Sequence, residues 1–226
     1  MNWEGECYLL SKRKFRENAN IINVFSKSKG KVSGVVYGGN SRKIRNYLQI
    51  SNKLFIIHNS KNENKLGYFK TELVKPISPL YFSDKKRTSA LISLCSIMNT
   101  LLPESQSNKN IYLSFEQFID TINLDNWIVL YIFFELNLIK NLGYDPNLEK
   151  FKDESNNLDD VKKVKIDTFN YDVPYFLISR KLPEKVSNDL IKKSLYFTRN
   201  IIQNRFFIPN NIQFPKSRVL LENYFN

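Results

Sequence analysis

The sequence predicts an α+β protein in which a small five-stranded barrel comes first and an all-helical domain follows. Within the first 77 residues, five short runs rich in β-branched and aromatic residues are separated by turn-forming residues. Pro76 and Pro79 then interrupt this pattern. From Asp84 onward, apolar residues recur at spacings of three and four, which is typical of helices. We therefore expect two domains, residues 1–77 and residues 78–226.

The first domain is predicted to be a barrel because its strands are short and evenly spaced. They cover residues 7–11, 20–26, 31–37, 47–58 and 66–74. The connections at 27–30, 38–41 and 59–64 are rich in Gly, Asn, Ser and Lys, and we expect no helix longer than one turn among them. Five such strands favour a closed or partly open barrel. The OB-fold is a five-stranded barrel that binds nucleic acids, so it is the predicted fold.

The second domain is predicted from helical periodicity and capping signals. The first helix begins near Asp84 and ends before Pro103, and further helices cover 112–123, 125–142, 187–205 and 216–224. Residues 125–142 are apolar nearly all round, which indicates a buried central helix that ends at Gly143. Residues 145–174 are polar, and we expect an exposed, partly irregular segment there.

The charge of the chain is unevenly distributed. The formal net charge is +12. Residues 1–77 contain 15 Lys and Arg against 5 Asp and Glu, a net of +10, whereas residues 78–226 carry a net of +2. A general bias toward lysine would have spread the charge evenly, so the asymmetry favours an anionic partner for the first domain.

Residues that could perform catalysis are sparse. His58 is the single histidine, and no nucleophile turn such as Gly-x-Ser-x-Gly accompanies it. No Cys-x-x-Cys pair suggests a zinc site, and no Gly-Lys-Ser/Thr follows Gly38-Gly39 as a phosphate-binding loop would require. The chain is therefore predicted not to be an enzyme. A metal-dependent nuclease stays open as an alternative, because four carboxylates lie close together in the sequence: Asp153, Glu154, Asp159 and Asp160.

The location of the protein is predicted from what the sequence lacks. The acidic N-terminus has no apolar signal-peptide core, and no apolar run approaches the length of about 18 residues that a membrane span needs. Cys7 and Cys95 lie in apolar stretches, which favours two buried reduced thiols. We therefore expect a soluble, cytoplasmic protein without membrane contact.

Three basic clusters of the first domain are the predicted nucleic-acid site. All are expected in loops beside the strands, where they could converge on one face and neutralise phosphates. Tyr37 and Tyr47 flank the third cluster as candidates for base stacking, with Tyr8 and Tyr68 as weaker ones. The clusters are Lys12, Arg13, Lys14 and Arg16; then Lys27, Lys29 and Lys31; then Arg42, Lys43 and Arg45.

Ordered motifs along the chain resemble the bacterial RecO family of recombination mediators. Residues 3–17 resemble its opening strand and loop, and residues 26–43, SKSKGKVSGVVYGGNSRK, resemble its signature of a valine-rich strand that runs into glycines and a basic loop. Leu48-Gln49, LGYF at 66–69 and Glu72-Leu73 resemble the later strands. In the helical half the similar segments are LLPE at 101–104, FELNL at 134–138, LGY at 142–144 and Leu148.

The resemblance implies both a fold and a function. The fold would be an OB-fold followed by a helical domain. The function would be DNA repair and recombination: binding of single- and double-stranded DNA, annealing of strands coated by single-strand-binding protein (SSB), and loading of RecA together with RecR and often RecF. The helical domain would engage the acidic, apolar C-terminal tail of SSB, and we expect an apolar groove beside Lys85, Lys86 and Arg87 or beside Lys192 and Lys193.

The sequence departs from the family in one segment. Many members carry a Cys-rich zinc site after the position of Gly143-Tyr144, but residues 149 onward contain no Cys and no His. We therefore expect no zinc and no other cofactor, and a segment held by the packing of Phe151, Phe169, Tyr171 and Tyr175. An OB-fold RNA-binding or ribosome-associated factor remains the alternative function, because a basic barrel does not distinguish DNA from RNA.

Overall fold

The computed structural model describes residues 2–60, 66–153 and 157–225. The predicted turn at 59–64 lies mostly outside these residues, as does Glu154. The chain forms two compact units, residues 1–113 and 114–226. Among the described residues, no helix is long and apolar enough to cross a membrane.

The first unit contains a closed five-stranded barrel, which confirms the predicted fold class. The strand order around the barrel is β1-β2-β3-β5-β4, and all neighbours are antiparallel except β3 and β5. Its elements are β1 (Trp3–Arg16), β2 (Ala19–Ser26), β3 (Gly30–Tyr37), the helix α1 (Arg42–Tyr47), β4 (Lys53–Asn59) and β5 (Gly67–Lys75).

Side-chain alternation along these strands builds the core of the barrel. Every second residue faces inward, so that Leu9 and Ile22 from neighbouring strands meet in one buried cluster with Leu54 and Phe69. Cys7 belongs to this cluster, and burial raises the pKa of its thiol to about 12. The thiol of Cys95 is also free and buried, as expected.

The fourth predicted strand was wrong in its first half. We expected a strand over 47–58, but α1 ends at Tyr47 and β4 begins only at Lys53. The expectation of no helix longer than one turn was also wrong, since α1 has six residues. The side chain of Ser41 caps this helix by accepting a hydrogen bond from the Ile44 amide. So short a segment carries too little periodicity to be separated from a strand.

A helix packs against the barrel within the first unit. This is α2 (Lys85–Leu101), which begins where it was predicted and whose N-cap is Asp84. Asn99 accepts hydrogen bonds from the barrel side chains of Asn23 (2.6 Å) and Lys31 (2.9 Å), at its amide and backbone oxygens respectively. The barrel strands end at Lys75, near the predicted boundary at residue 77, but the compact unit extends through α2.

The second unit is built from helices and one hairpin. Nine of the fifteen residues of its central helix are buried and Lys140 alone is exposed, which agrees with the buried helix predicted over 125–142. The Ser187 hydroxyl caps the next long helix, also as predicted. The elements are α3 (Lys109–Thr121), which begins in the first unit, α4 (Trp127–Asn141), β6 (Val161–Ile166), β7 (Phe169–Pro174), α5 (Tyr175–Ser179), α6 (Asn188–Ile202) and α7 (Lys216–Asn223).

Residues 145–174 are more regular than expected. Instead of an irregular segment, β6 and β7 pair as an antiparallel hairpin. Val164 and Tyr171 sit opposite each other and are buried, and Tyr171 packs edge-to-face on Phe197 of α6 at 5.3 Å between ring centroids. The alternation is hidden in the sequence because five of the six β6 positions are Lys or Val, and a lysine also occupies the inward-facing position 162. This hairpin is an addition to the predicted helical half.

Candidate nucleic-acid interface

Helix α1 closes one end of the barrel and presents cations on its other side. Ile44, Tyr47 and Leu48 face the barrel core, at the spacing that puts side chains on one helix face. Arg42, Lys43 and Arg45 therefore lie on the opposite side, and all three are exposed. The third basic cluster thus sits on a helix rather than in a loop.

The first basic cluster also differs from its predicted setting. Strand β1 continues to Arg16, so Lys12, Arg13, Lys14 and Arg16 belong to the strand and not to a loop. Arg13 lies opposite Ile21 on the outer face of the barrel, whereas Lys12 lies opposite Ile22 on the inner side. The long polar end of β1 was not recognised because charged residues are unusual in strands unless they lie at an edge or a projecting end.

Lys12 links the first cluster to α1. Its ammonium group donates to the backbone oxygen of Leu48 at 2.7 Å, just past the end of α1. Burial, together with the neighbouring charge of Arg45, lowers the pKa of Lys12. The two clusters are therefore close enough for their charges to interact.

Hydrogen bonds also hold the turn between β1 and β2 against the segment that precedes α1. The amide of Gly38 donates to the Asn18 carbonyl at 2.7 Å, and the side chain of Asn40 donates to the Glu17 carbonyl at 2.7 Å. These bonds tie the β1–β2 turn to the segment that enters α1. The fold thus brings two predicted clusters to one end of the barrel. We call this set the basic end: Lys12, Arg13, Lys14, Arg16, Arg42, Lys43 and Arg45.

The second predicted cluster lies elsewhere. Lys27 and Lys29 are exposed in the β2–β3 turn. Strand β2 separates this turn from the basic end by eight residues, or roughly 20–25 Å at the usual rise of a strand. In a run of hairpins, successive turns alternate between the two ends of the sheet. The three clusters therefore cannot all lie at one end of the barrel, as the predicted site required.

Lys31 is the clearest correction among the predicted site residues. It is only 8% exposed, and its ammonium group donates to the backbone oxygen of Asn99. Burial lowers its pKa, with the charge of Glu104 acting in the opposite direction. Lys31 therefore anchors α2 to the barrel, a role that the sequence does not distinguish from that of Lys29.

The four candidate tyrosines separate into two kinds. Tyr8 is buried and packs on Tyr112, and the Tyr47 hydroxyl donates to the Thr71 backbone oxygen at 2.7 Å. These two side chains therefore contribute to packing within the first unit. Tyr37 and Tyr68 are exposed, with their ring centroids 6.4 Å apart. Pairing of Tyr37 with Ala19 places it beside the basic end.

The residues considered for catalysis do not assemble into a site among the described residues. His58 is buried against the rings of Trp3 and Phe69. Asp153 forms an ion pair with Lys162, and Asp160 accepts a hydrogen bond from Asn157. Within 2–60, 66–153 and 157–225, no group of three or more His, Cys, Asp or Glu could hold a metal ion.

The second unit contains a pocket that the sequence did not reveal. It encloses about 270 Å³, with a largely apolar lining from α4, α5 and the residues that follow each, including Leu130, Phe133 and Leu177. Lys140 and Arg180 stand at this pocket, paired with Asp145 at 2.9 Å and with Glu149 at 3.4 Å. The cations proposed from the sequence do not line it, but Lys192 and Lys193 line another pocket, of about 750 Å³, together with Tyr171, Asp189 and Glu222.

Comparison with known proteins decides the family. Residues 1–77 match the family described as Recombination protein O N terminal, and residues 83–160 match Recombination protein O C terminal. The chain belongs to the RecO family. Both halves of the resemblance seen in the sequence are thereby confirmed.

Individual relatives agree with the RecO assignment. The chain is 32% identical over 150 residues to the DNA repair protein RecO of Roseobacter denitrificans and 32% identical over 152 residues to that of a Wolbachia strain of Culex pipiens. The protein of the same name from Caulobacter vibrioides is 26% identical over 151 residues. Each match covers 66% of this chain and 62% of the relative, which is less than two thirds of the relatives' length.

Proposed function

We propose that this RecO family member is a non-catalytic DNA repair and recombination mediator. It binds single- and double-stranded DNA, anneals complementary strands coated by SSB, and helps RecR, with RecF, to load RecA. The observation that carries the proposal is the basic end, where the fold gathers seven cations of the first unit around α1 and the end of β1.

The physical mechanism of annealing is electrostatic. Cations that contact phosphates release condensed counterions, which makes binding favourable and strongly dependent on salt. Two DNA strands repel each other, and a cluster of positive charge between them lowers that repulsion. Base pairing then supplies the free energy of annealing, so no covalent step is needed.

The pocket of the second unit is the proposed contact for the SSB tail. An acidic, apolar peptide requires an apolar floor for its side chains and nearby cations for its carboxylates. The lining of Leu130, Phe133 and Leu177 supplies the first, and Lys140 and Arg180 supply the second. Their present partners, Asp145 and Glu149, would be exchanged for peptide carboxylates.

Reversal of the charges on α1 tests the proposal. We expect Arg42→Glu/Lys43→Glu/Arg45→Glu to weaken binding of a single-stranded oligonucleotide at least tenfold and to flatten the dependence of affinity on salt, because phosphate contacts are lost. Fluorescence anisotropy over a salt series measures both. The same variant should slow annealing of SSB-coated complementary oligonucleotides.

The matched control reverses three exposed charges at the opposite end of the barrel. Lys27→Glu/Lys29→Glu/Lys109→Glu alters the net charge equally, and Ser107, which donates to the Lys27 carbonyl, places Lys109 near that turn. Equal losses in the two variants would mean that net charge rather than the basic end binds DNA. Preference for RNA in a competition assay would favour the RNA-binding alternative.

A further inference from the structure

Two exposed aromatic rings lie side by side on the outer face of the barrel. Tyr37 at the end of β3 is 61% exposed, and Tyr68 near the start of β5 is 42% exposed. Their ring centroids are 6.4 Å apart and the ring planes are inclined by 53°. Water thus reaches large parts of two rings that occupy one small area.

Strand pairing determines which residues surround these rings. Tyr37 lies opposite Ala19, and Tyr68 lies beside Val35. Ala19 and Val35 form a buried cluster with Ile21 on the outer side of the sheet. Both tyrosines therefore lie on strands beside a buried apolar cluster, and their positions are set by strand pairing rather than by a loop.

Two arginines share this face. Arg13 lies opposite Ile21, and Arg16 lies opposite Ala19 because an irregularity between Lys14 and Arg16 shifts the register by one residue. Without that shift, Arg16 would lie on the same side as Lys14. We call Tyr37, Tyr68, Arg13 and Arg16 the tyrosine face.

The exposed surface of α1 has a different chemistry. It presents Arg42, Lys43 and Arg45, but its aromatic residue, Tyr47, is turned toward the barrel and hydrogen-bonded to Thr71. This surface can neutralise phosphates but offers no ring face to a base. The cations of the basic end therefore belong to two different surfaces: those of α1 form a purely cationic surface, whereas Arg13 and Arg16 share the tyrosine face with two aromatic rings.

We propose that the tyrosine face is a subsite for the unpaired bases of single-stranded DNA, whereas α1 contacts phosphates of single and double strands alike. Bases of a duplex are stacked on each other and offer no free face, but bases of a single strand can stack on aromatic side chains. Because the two rings are inclined by 53°, one base cannot lie flat on both, so each ring takes a separate base. The inference rests on the proposed DNA-binding function and specifies its substrate.

The test compares two substitutions of the same tyrosines. Tyr37→Leu/Tyr68→Leu keeps apolar packing on the sheet but removes the rings, whereas Tyr37→Phe/Tyr68→Phe keeps the rings. For the full-length leucine variant we expect at least a tenfold loss of affinity for an unstructured single-stranded oligonucleotide and less than a twofold change for a duplex. The phenylalanine variant should bind both DNAs within twofold of the unchanged protein.

Salt dependence separates stacking from charge. The leucine variant should keep the slope of log affinity against log salt, because it loses no phosphate contact, whereas reversal of the α1 charges should flatten that slope for both DNAs. Equal losses for single strand and duplex, or an equal loss in the phenylalanine variant, would overturn the stacking subsite. If the unchanged protein binds neither DNA, the proposed function itself fails.

A merely structural role of the two rings is also distinguishable. Cross-strand aromatic pairs stabilise sheets, so the leucine variant is compared by thermal unfolding as well. If its affinity for single-stranded DNA stays within twofold of the unchanged protein while its unfolding temperature falls, Tyr37 and Tyr68 stabilise the sheet and the subsite is refuted.

Discussion

At the scale of single residues, burial decides the role of an arginine. The arginines of the basic end are exposed, whereas Arg218 is buried in an ion pair. Arg218 of α7 and Glu135 of α4 are both fully buried. The guanidinium donates to both carboxylate oxygens, at 2.6 and 3.0 Å, and also to the Leu195 backbone oxygen at 2.8 Å. Burial acts to lower the pKa of Arg218, but the charge of Glu135, the neighbouring Tyr131, the hydrogen bonds to Glu135 and the charge of Glu222 together outweigh it, so the pKa is raised.

Breaking this buried pair should be costly. Arg218→Met leaves the Glu135 charge buried without its partner, and we expect the free energy of unfolding to fall by about 3–5 kcal/mol. Urea denaturation monitored by circular dichroism measures the change. In the control Lys216→Met, on the same helix but exposed, stability should change by no more than about 0.5 kcal/mol. Indistinguishable midpoints would show that the pair does not stabilise the helices.

At the scale of elements, packing and polar contacts hold the β6–β7 hairpin in place. Tyr171 is buried on Phe197, and the Tyr175 hydroxyl donates to the Asp153 backbone oxygen at 2.7 Å. At the hairpin turn, Asp167 pairs with Arg205 and accepts a hydrogen bond from Tyr144 at 2.8 Å. Of the four aromatic residues expected to hold this segment, Tyr171 and Tyr175 are buried, whereas Phe169 is exposed and Phe151 is half-buried.

The hairpin should therefore remain folded in the presence of a metal chelator. A structural zinc would contribute to folding free energy, so its removal would lower the unfolding temperature. Because no Cys or His occurs from residue 149 onward, we expect the unfolding temperature in excess chelator to change by no more than about 1 °C. Elemental analysis of the purified protein provides the control. Stoichiometric zinc together with a lowered unfolding temperature would contradict the prediction.

At the scale of the whole molecule, strand pattern and contact pattern divide the chain at different points. The β-strands of the barrel end at Lys75, yet α2 continues the first unit through contacts with Asn23 and Lys31. Tyr112 adds ring contacts to Tyr8 and Phe25 on the outer side of the barrel. A barrel without these residues would expose apolar surface that the unit otherwise buries.

Truncation at two positions measures this dependence. We expect a fragment of residues 1–113 to unfold cooperatively, whereas a fragment of residues 1–77 should unfold at a lower temperature or aggregate, because Tyr8 and Phe25 lose their cover. Differential scanning fluorimetry and size-exclusion chromatography provide the comparison. Equal stability of the two fragments would support a domain boundary at residue 77.

The sequence by itself determined the fold class, the family and the position of the excess charge. Strand alternation, the helical periodicity that begins near Asp84 and the cap at Ser187 are local patterns, so they can be read before the chain folds. The clusters at Lys12–Arg16 and Arg42–Arg45 were likewise identified as the predicted site from residue type and spacing alone.

Only the tertiary structure decided which of those residues lie together. Hairpin topology sends Lys27 and Lys29 to the far end of the barrel, packing of α2 buries Lys31, and register places Tyr68 beside Tyr37. The pocket beside Lys140 and Arg180 also arises from residues distant in sequence. Such relations depend on contacts between separate segments, and no local pattern of charge or hydrophobicity encodes them.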